Sequence, residues 1–297
     1  MSKDYEGILI INKEKGYTSN DVVACLRGIL HMKKIGHTGT LDPDAVGVLP
    51  VCLGKGTKLV SMMTDMDKEY TAVARLCVTT DTEDMTGEVI RRVDLTPEEA
   101  PSEEEVISVL QGFIGGYDQI PPMYSAKKVN GRKLYELARE GVEIERRPCH
   151  VKIHDIGVIS YSFPNVSFRV RCGKGTYIRS LIRDMGEKLK TGAAMESLVR
   201  NSVSGFSLNE ALTLKEVEEH TDKGDIGSFI KSPESVFLDL PHITVEGNLE
   251  KMVRNGNRFR TEKELTPGDY RVRTADGTFA AVYTIKGREA ILKRMFL

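Results

Sequence analysis

Residues 36–60 read GHTGTLDPDAVGVLPVCLGKGTKLV. Glycine and proline recur through them without the period of a helix or a strand, which predicts a structured loop with short elements whose backbone is fixed in unusual conformations. A chain carrying such a loop must supply a rigid scaffold to hold it. One histidine, His37, and two carboxylates, Asp42 and Asp44, lie within it. On residues alone three readings compete. The GKGT at 54–57 suggests a phosphate loop, but that motif needs Ser or Thr directly after its lysine, and Gly56 follows Lys55. The second GKGT, at 173–176, fails in the same way. A metal held by Asp42 and Asp44 has no further ligands nearby. The third reading makes Asp42 a plain turn former before Pro43.

The scaffold is legible in pieces. ILIIN (8–12) predicts a strand. The next segment, TSNDVVACLRGIL, predicts a helix capped by Ser19 or Asn20, with Val22, Val23, Leu26, Ile29 and Leu30 on its apolar face. EYTAVARLCVTT (69–80) predicts one strand. Ser102 with Glu105 forms a capping box for a helix that runs through Leu110 and Phe113 to the stop at Gly115-Gly116. Residues 118–133, with Pro121-Pro122 and the Asn130-Gly131 turn, predict a long exposed loop before a short helix ending at Gly141. NVSFRVRC (165–172) alternates strictly and predicts a half-buried strand. Residues 177–190 predict a helix with Ile178, Leu181, Ile182, Met185 and Leu189 inward; Arg179 and Arg183, one turn apart, lie elsewhere on it. Beyond about residue 236 two hairpins in series, turning at Asp276-Gly277 and Lys286-Gly287, predict a β module.

Charge matters here through its layout. The net charge is -1, a poor match for a nucleic-acid partner until residues 81–105 are set aside. That segment alone carries -8, so the remainder carries +7, and residues 118–152 carry +3. A basic surface on such a chain is compatible with RNA. Cys25, Cys52, Cys77, Cys149 and Cys172 are odd in number and lack metal-ligand spacing, so neither a disulfide framework nor a zinc ribbon is expected. His150 and His154 lie on one face of a predicted strand and read as ordinary histidines. No apolar run reaches the ~18 residues of a membrane span, and the first residues lack the apolar region of a signal peptide. A cytoplasmic protein is expected.

The whole string resembles the catalytic loop of the TruB family of tRNA pseudouridine synthases, roughly GHTGTLDPxAxGxLP. Similar blocks follow in the same order: DKEYTAVARL (67–76), QIPPMYSAKKVNGRKLYELAREG (119–141), GKGTYIRSLIRDMGEKL (173–189) and the LxR from Leu198 to Arg200. Together they span residues 7 to 215. The resemblance implies a mixed α/β (α+β) fold with a largely antiparallel central sheet, helices and an inserted thumb loop. It implies a catalytic domain over 1–235, with the thumb at about 119–150, and a small β-rich, PUA-like RNA-binding domain over 236–297. The implied activity is isomerisation of a T-loop uridine of tRNA, at position 55, without cofactor or metal.

The same resemblance implies the roles. Asp42 is the nucleophile, while Asp44 falls at the variable position. Arg179 is the cationic partner of Asp42, with Arg183 as an ordinary surface arginine. Tyr70 stacks on the target base, Tyr177 is a second pocket tyrosine and Leu198 an apolar wall. His37 fills the space left by the flipped base, and Lys58 adds positive charge. Lys127, Lys128, Arg132 and Lys133 belong to the thumb that grips the T arm. The partner is tRNA alone, bound by a monomer with no protein partner and no membrane. The chain departs from the pattern at Glu14, where Pro usually follows Lys13, at Val46 for Thr, at Cys77 for Gly and at Gly173 for Ser. Rival readings are a tRNA chaperone without chemistry and a synthase of the same fold acting on rRNA or guided sites. The intact Asp42, Tyr70 and Arg179 set weighs against the first and the thumb-like segment against the second. Since all the implied chemistry precedes residue 236, a chain ending there is expected to keep its activity and bind tRNA more weakly.

Overall fold

The structure, a computed structural model, describes residues 5–129 and 131–297; Met1–Asp4 and the Asn130 of the predicted turn lie outside the described residues. Strand β1 (Gly7–Lys13) shows how this sequence builds a two-sided sheet. Its apolar run is buried on both faces: Ile8 and Ile10 enter one core, Leu9 and Ile11 another, as the two-residue period of a strand requires. The segment read as a loop holds a second such strand. After β2 (Ile35–His37), β3 (Val46–Leu53) sends Val48 and Cys52 to one side and Leu49, Val51 and Leu53 to the other. Gly47 and Pro50 hide this strand in the sequence, because both are poor strand formers in isolation.

The remaining strands of this sheet are β4 (Lys68–Leu76), β5 (Ile153–Ser162), β6 (Asn165–Cys172), β7 (Ala193–Val203) and the short β8 (Phe206–Ser207). The order is β1-β3-β7-β4-β6-β5, with β2 on β3 and β8 on β7. Its ladders are antiparallel except that between β3 and β7. Strand β4 ends earlier than its sequence suggests. Cys77 takes φ 65, and Val78–Thr80 pairs separately with Val89–Arg92.

Helix α1 (Ser19–Ile29) is capped by Thr18, with Asp21 completing a capping box. The predicted caps Ser19 and Asn20 fall inside the helix, which frees the buried Ser19 hydroxyl for another partner. Helix α2 (Glu103–Gln111) starts at the Ser102–Glu105 box, and α3 (Ile178–Lys188) packs with it over β4, β5, β6 and β7. Leu181, Ile182 and Met185 are the inward residues. The insertion between α2 and β5 is a thin layer. Tyr117–Gln119 pairs with Cys149–Val151 at its base, and beyond lie a two-residue hairpin and the helix Leu134–Arg139 over a small cluster of Met123, Leu134 and Leu137.

A second sheet closes the chain: β9 (His242–Val245), β10 (Phe259–Arg260), β11 (Gly268–Thr274), β12 (Phe279–Lys286) and β13 (Glu289–Met295), in the order β9-β11-β12-β13-β10. Its two hairpins turn where the sequence predicts. A helix at Gly247–Arg254 packs on it. Phe279, Val282 and Phe296 leave this sheet's own core and, with Phe237 of the preceding turn, share one with Ile8, Ile10 and Val48 of the first sheet and Met63 of the short helix Val60–Thr64. No helix among the described residues is long and apolar enough to cross a membrane.

Candidate active site

The loop from Thr38 to Ala45 is fastened to the sheet by groups buried beneath it. The Thr38 amide and hydroxyl both donate to the Pro50 carbonyl, at 3.1 and 3.3 Å. The Leu41 amide donates to the Ser19 hydroxyl at 2.9 Å. Lys13, fully buried, donates from Nζ to the carbonyls of Glu14, Tyr17 and Pro43 at 3.0, 2.6 and 2.9 Å. Burial pulls its ammonium down to about 8, although Asp42 and Asp44 pull upward. Three donors meeting three carbonyls leave none unpaired. Arg200, 1% exposed, donates to Val48 and Gly39 carbonyls at 2.7 and 3.2 Å. Gly47 makes this approach possible. At φ 109, a Cβ on it would stand 2.3 Å from the Arg200 carbonyl oxygen.

This frame presents Asp42 to Arg179. Nε lies 2.9 Å from Oδ2, and Nη2 donates to Oδ1 at 3.0 Å, the two-pronged geometry that a guanidinium and a carboxylate favour. Nη1 donates to the Thr82 carbonyl and Nη2 to that of Tyr124, each at 2.8 Å. Asp84 Oδ2 stands 3.5 Å from Nη1. Each of the three guanidinium nitrogens therefore has an oxygen within 3.0 Å. The Arg179 side chain is 4% exposed and that of Asp42 35%, so the arginine is sealed below while the carboxylate faces the open side.

Arg183 serves a different structure. It pairs with Glu83 and Asp184, and Glu83 also accepts from the Ser180 hydroxyl at 2.6 Å. The expectation of an ordinary surface arginine is corrected here, because the loop at 81–84 folds over α3 and covers it. Asp84 and Glu83 went unsingled in the sequence because they sit in an acidic run that reads as solvated. The signal that could have found them is Thr82, Asp84 and Thr86 spaced for side-chain turns, and Asp84 Oδ1 does accept from Thr82 and Thr86.

Tyr70 is buried on β4, opposite Arg200 in the ladder with β7 and Val170 in the ladder with β6. Burial pushes its phenol up, with Arg200 opposing, so it is neutral. Leu198 is buried on β7, two residues from Arg200. Tyr177 caps α3, and burial raises its phenol too. His37 lies at the end of β2, its Nδ1 accepting from the Gly39 amide at 3.4 Å, and burial first and Arg200 second lower its basicity. The structure does not bring Lys58 to Asp42. Lys58 belongs to a cationic group with Lys34, Lys55 and Arg294, whose company depresses its ammonium further after burial. Of the insertion's cations, Lys128 is exposed, Lys127 rests on Cys149 Sγ, Arg132 pairs with Glu140, and Lys133 lies over the Tyr135 ring at 5.3 Å. Among the described residues no group of three or more His, Cys, Asp or Glu is arranged to hold a metal.

The family model for TruB family pseudouridylate synthase, N-terminal domain, matches residues 27–178, and that for the tRNA pseudouridylate synthase B C-terminal domain matches 179–237. The chain belongs to the TruB family. It is thus a pseudouridine synthase, an isomerase. A curated relative from Lachnoclostridium phytofermentans, named tRNA pseudouridine synthase B, is 47% identical over 93% of this chain and 94% of its own. Another of that name, from Alkaliphilus oremlandii, is 46% identical over 85% of this chain and 82% of its own. Among solved structures, a Cbf5-Nop10-Gar1 complex contains a chain similar to this synthase with TM-score 0.73 and 26% identity, over 98% of this chain and 85% of that one. An H/ACA RNP bound to a substrate RNA containing 2'-deoxyuridine gives the same TM-score at 24% identity, a likeness of fold.

Proposed function

We propose that this TruB-family synthase isomerises the uridine at position 55 in the T loop of tRNA, with Asp42 as the nucleophile. The observation that carries the reading is the two-pronged Asp42–Arg179 pair, sealed on the arginine side and open on the carboxylate side. An ionised carboxylate in a poorly hydrated cleft needs such a partner. Isomerisation breaks the bond from N1 to the ribose and makes the bond from C5. The C5 proton is lost and N1 gains one, so the reaction is redox-neutral and needs a nucleophile rather than an oxidant. Tyr70 supplies a neutral aromatic face for the base and Leu198 the apolar wall beside it. The uridine leaves a folded loop to reach them, and His37, uncharged at neutral pH, occupies the vacated place. The insertion at 119–150 grips the T arm by shape and phosphate contact, and the second sheet, over 236–297, is a PUA-like RNA-binding domain. The protein acts in the cytoplasm as a monomer, on tRNA alone and without a cofactor.

The test is incubation of the purified protein with an unmodified tRNA transcript and mapping of pseudouridine. One product at position 55 is expected. Asp42→Asn should form none while binding tRNA within a few-fold of wild type. Turnover by that variant, with Asp44→Asn inactive instead, would move the nucleophile; absence of product until another protein is added would reject the stand-alone reading.

A further inference from the structure

We infer that Gln119 is a positioning residue for Arg179, the side chain through which the base of the insertion sets the register of the catalytic pair. Gln119 is 1% exposed and lies in the short ladder opposite Cys149, where the two stems of the insertion meet. Its carboxamide makes a closed pair with one residue's main chain. Oε1 accepts from the Tyr177 amide at 2.9 Å, and Nε2 donates to the Tyr177 carbonyl at 3.0 Å. This is the way one strand binds the next, performed by a side chain. Nε2 also donates to the Tyr117 hydroxyl at 2.6 Å, so both amide hydrogens and the acceptor are used.

The position of Tyr177 gives this pair its consequence. Tyr177 is the N-cap of α3, and no side chain caps that helix from within its own segment. Arg179 follows two residues later, already in the first turn. Gln119 therefore fixes the turn that launches Arg179 toward Asp42. The insertion also meets the guanidinium directly, through the Tyr124 carbonyl on Nη2, the nitrogen that also donates to Asp42 Oδ1. Removing Gln119 leaves the part-buried Tyr177 amide without a partner and its carbonyl with the Leu181 amide alone, so the turn must shift to satisfy that amide. A shift there moves Nε and Nη2 relative to a carboxylate that the frame beneath holds still. The residue touches neither substrate nor reacting atoms; its effect passes through Arg179.

The inference rests on the proposed activity for one readout and is independent of it for another. Hydrogen exchange of the segment 173–183 needs no RNA: the Tyr177 amide should exchange at least about tenfold faster in Gln119→Ala than in wild type. Unchanged exchange overturns the inference, whatever the substrate proves to be. With tRNA, Gln119→Ala should lower the single-turnover rate at saturating RNA by about tenfold or more, from the loss of one to two buried hydrogen bonds, while affinity changes little. A loss confined to affinity, with the saturated rate intact, makes Gln119 a mere prop for the insertion and overturns the inference. Gln119→Glu guards against a variant that does not fold. A neutral carboxyl offers one donor and one acceptor, enough for the two bonds to Tyr177, whereas a carboxylate offers no donor and faces the Tyr177 carbonyl. Burial raises the introduced group's pKa. The rate of Gln119→Glu relative to wild type should therefore climb as pH falls from about 8 to about 5.5; a ratio flat with pH overturns the inference. A wild type that makes no pseudouridine on tRNA would reject the proposed function and leave the exchange result to decide this one.

Discussion

Two regions meet at Arg179 and they are built differently. The loop carrying Asp42 is fastened from below by Lys13, Ser19 and Arg200, fully buried groups that spend their polar atoms on main-chain partners. The insertion reaches the same arginine from the other side with only a cluster of three buried apolar residues, the Tyr124 carbonyl and the Gln119 pair. So thin a buried layer places a segment at the low end of local stability. The carboxylate is preorganised, as electrostatic catalysis demands, while the surface assigned to RNA is held loosely enough to fit a partner. The arginine, whose Nη2 donates to both regions at once, senses both.

Arg179→Ala should do the most damage. It strips Asp42 of its partner at a cost of about 3–5 kcal/mol for a pair broken on one side, read as a loss of about 100-fold or more in saturated rate. Arg183→Ala unpairs the buried Glu83, so it should lower thermal stability more than rate. Rate losses of equal size from both would break the division between the catalytic loop and its surroundings.

The rigid side is itself supported from outside. Phe279 and Phe296 stack at 5.0 Å, and with Phe237 and Val282 they cover Ile8 and Ile10 of the first sheet and Met63 of the helix beside it. Fully burying one such side chain contributes about 1.5–3 kcal/mol, and losing four of them approaches a total stability of about 5–15 kcal/mol. This shared core weighs against the expectation that a chain ending at residue 236 keeps its activity. The truncated chain should melt far below the full chain and form no pseudouridine at saturating tRNA. A folded, active truncation would show that the catalytic frame stands alone.

What the sequence disclosed follows the same division. The helices with capping boxes or clean periodicity and the strand at 165–172 were legible because local chemistry and burial agree there. Strand β3 was not, since its Gly47 and Pro50 answer to Arg200 and Thr38, partners distant in sequence or folded back across a turn. The residues of the catalytic loop were legible only as a whole string that resembles a family; singly, Asp42 is a turn residue. Arg183 and Glu83 read as solvent-facing because charge in a sequence carries no sign of what covers it. Glu14, where the family pattern has Pro, leaves its carbonyl on Lys13, so this departure keeps the bond that ties the first loop to the frame.

Lys13 offers a smaller test with two signs. As an ammonium it fills three carbonyls; as an amine it can fill only two. With its pKa lowered to about 8 from the ordinary 10.5, the saturated rate should fall as pH rises through about 8 while the Asp42 loop loosens. Stability from this group runs the other way. Between about 8 and 10.5 the unfolded chain holds more protons than the folded one, so this group's contribution grows with pH. A rate that stays level to about pH 9.5 would remove Lys13 from the frame that holds Asp42.

The smallest effect belongs to the loosely held side and concerns affinity alone. Replacing Lys127, Lys128, Arg132 and Lys133 together should weaken binding even of an isolated T-arm stem-loop. Every phosphate that goes without its cation flattens the slope of log affinity against log salt by about 0.7–0.9. The four are unequal in the free protein. Lys128 is exposed and makes no ion pair among the described residues, whereas Arg132 is engaged by Glu140 and Lys133 by the Tyr135 hydroxyl at 3.2 Å and its ring. Lys128→Ala should therefore flatten the slope more than Arg132→Ala, because Arg132 must first give up a carboxylate to take a phosphate. The saturated rate should be unchanged in both. Equal slopes would show that the Arg132–Glu140 pair opens freely on RNA, and a fall in saturated rate would show that these cations act on the Asp42–Arg179 pair as well as on the RNA, joining the two regions that the structure holds apart.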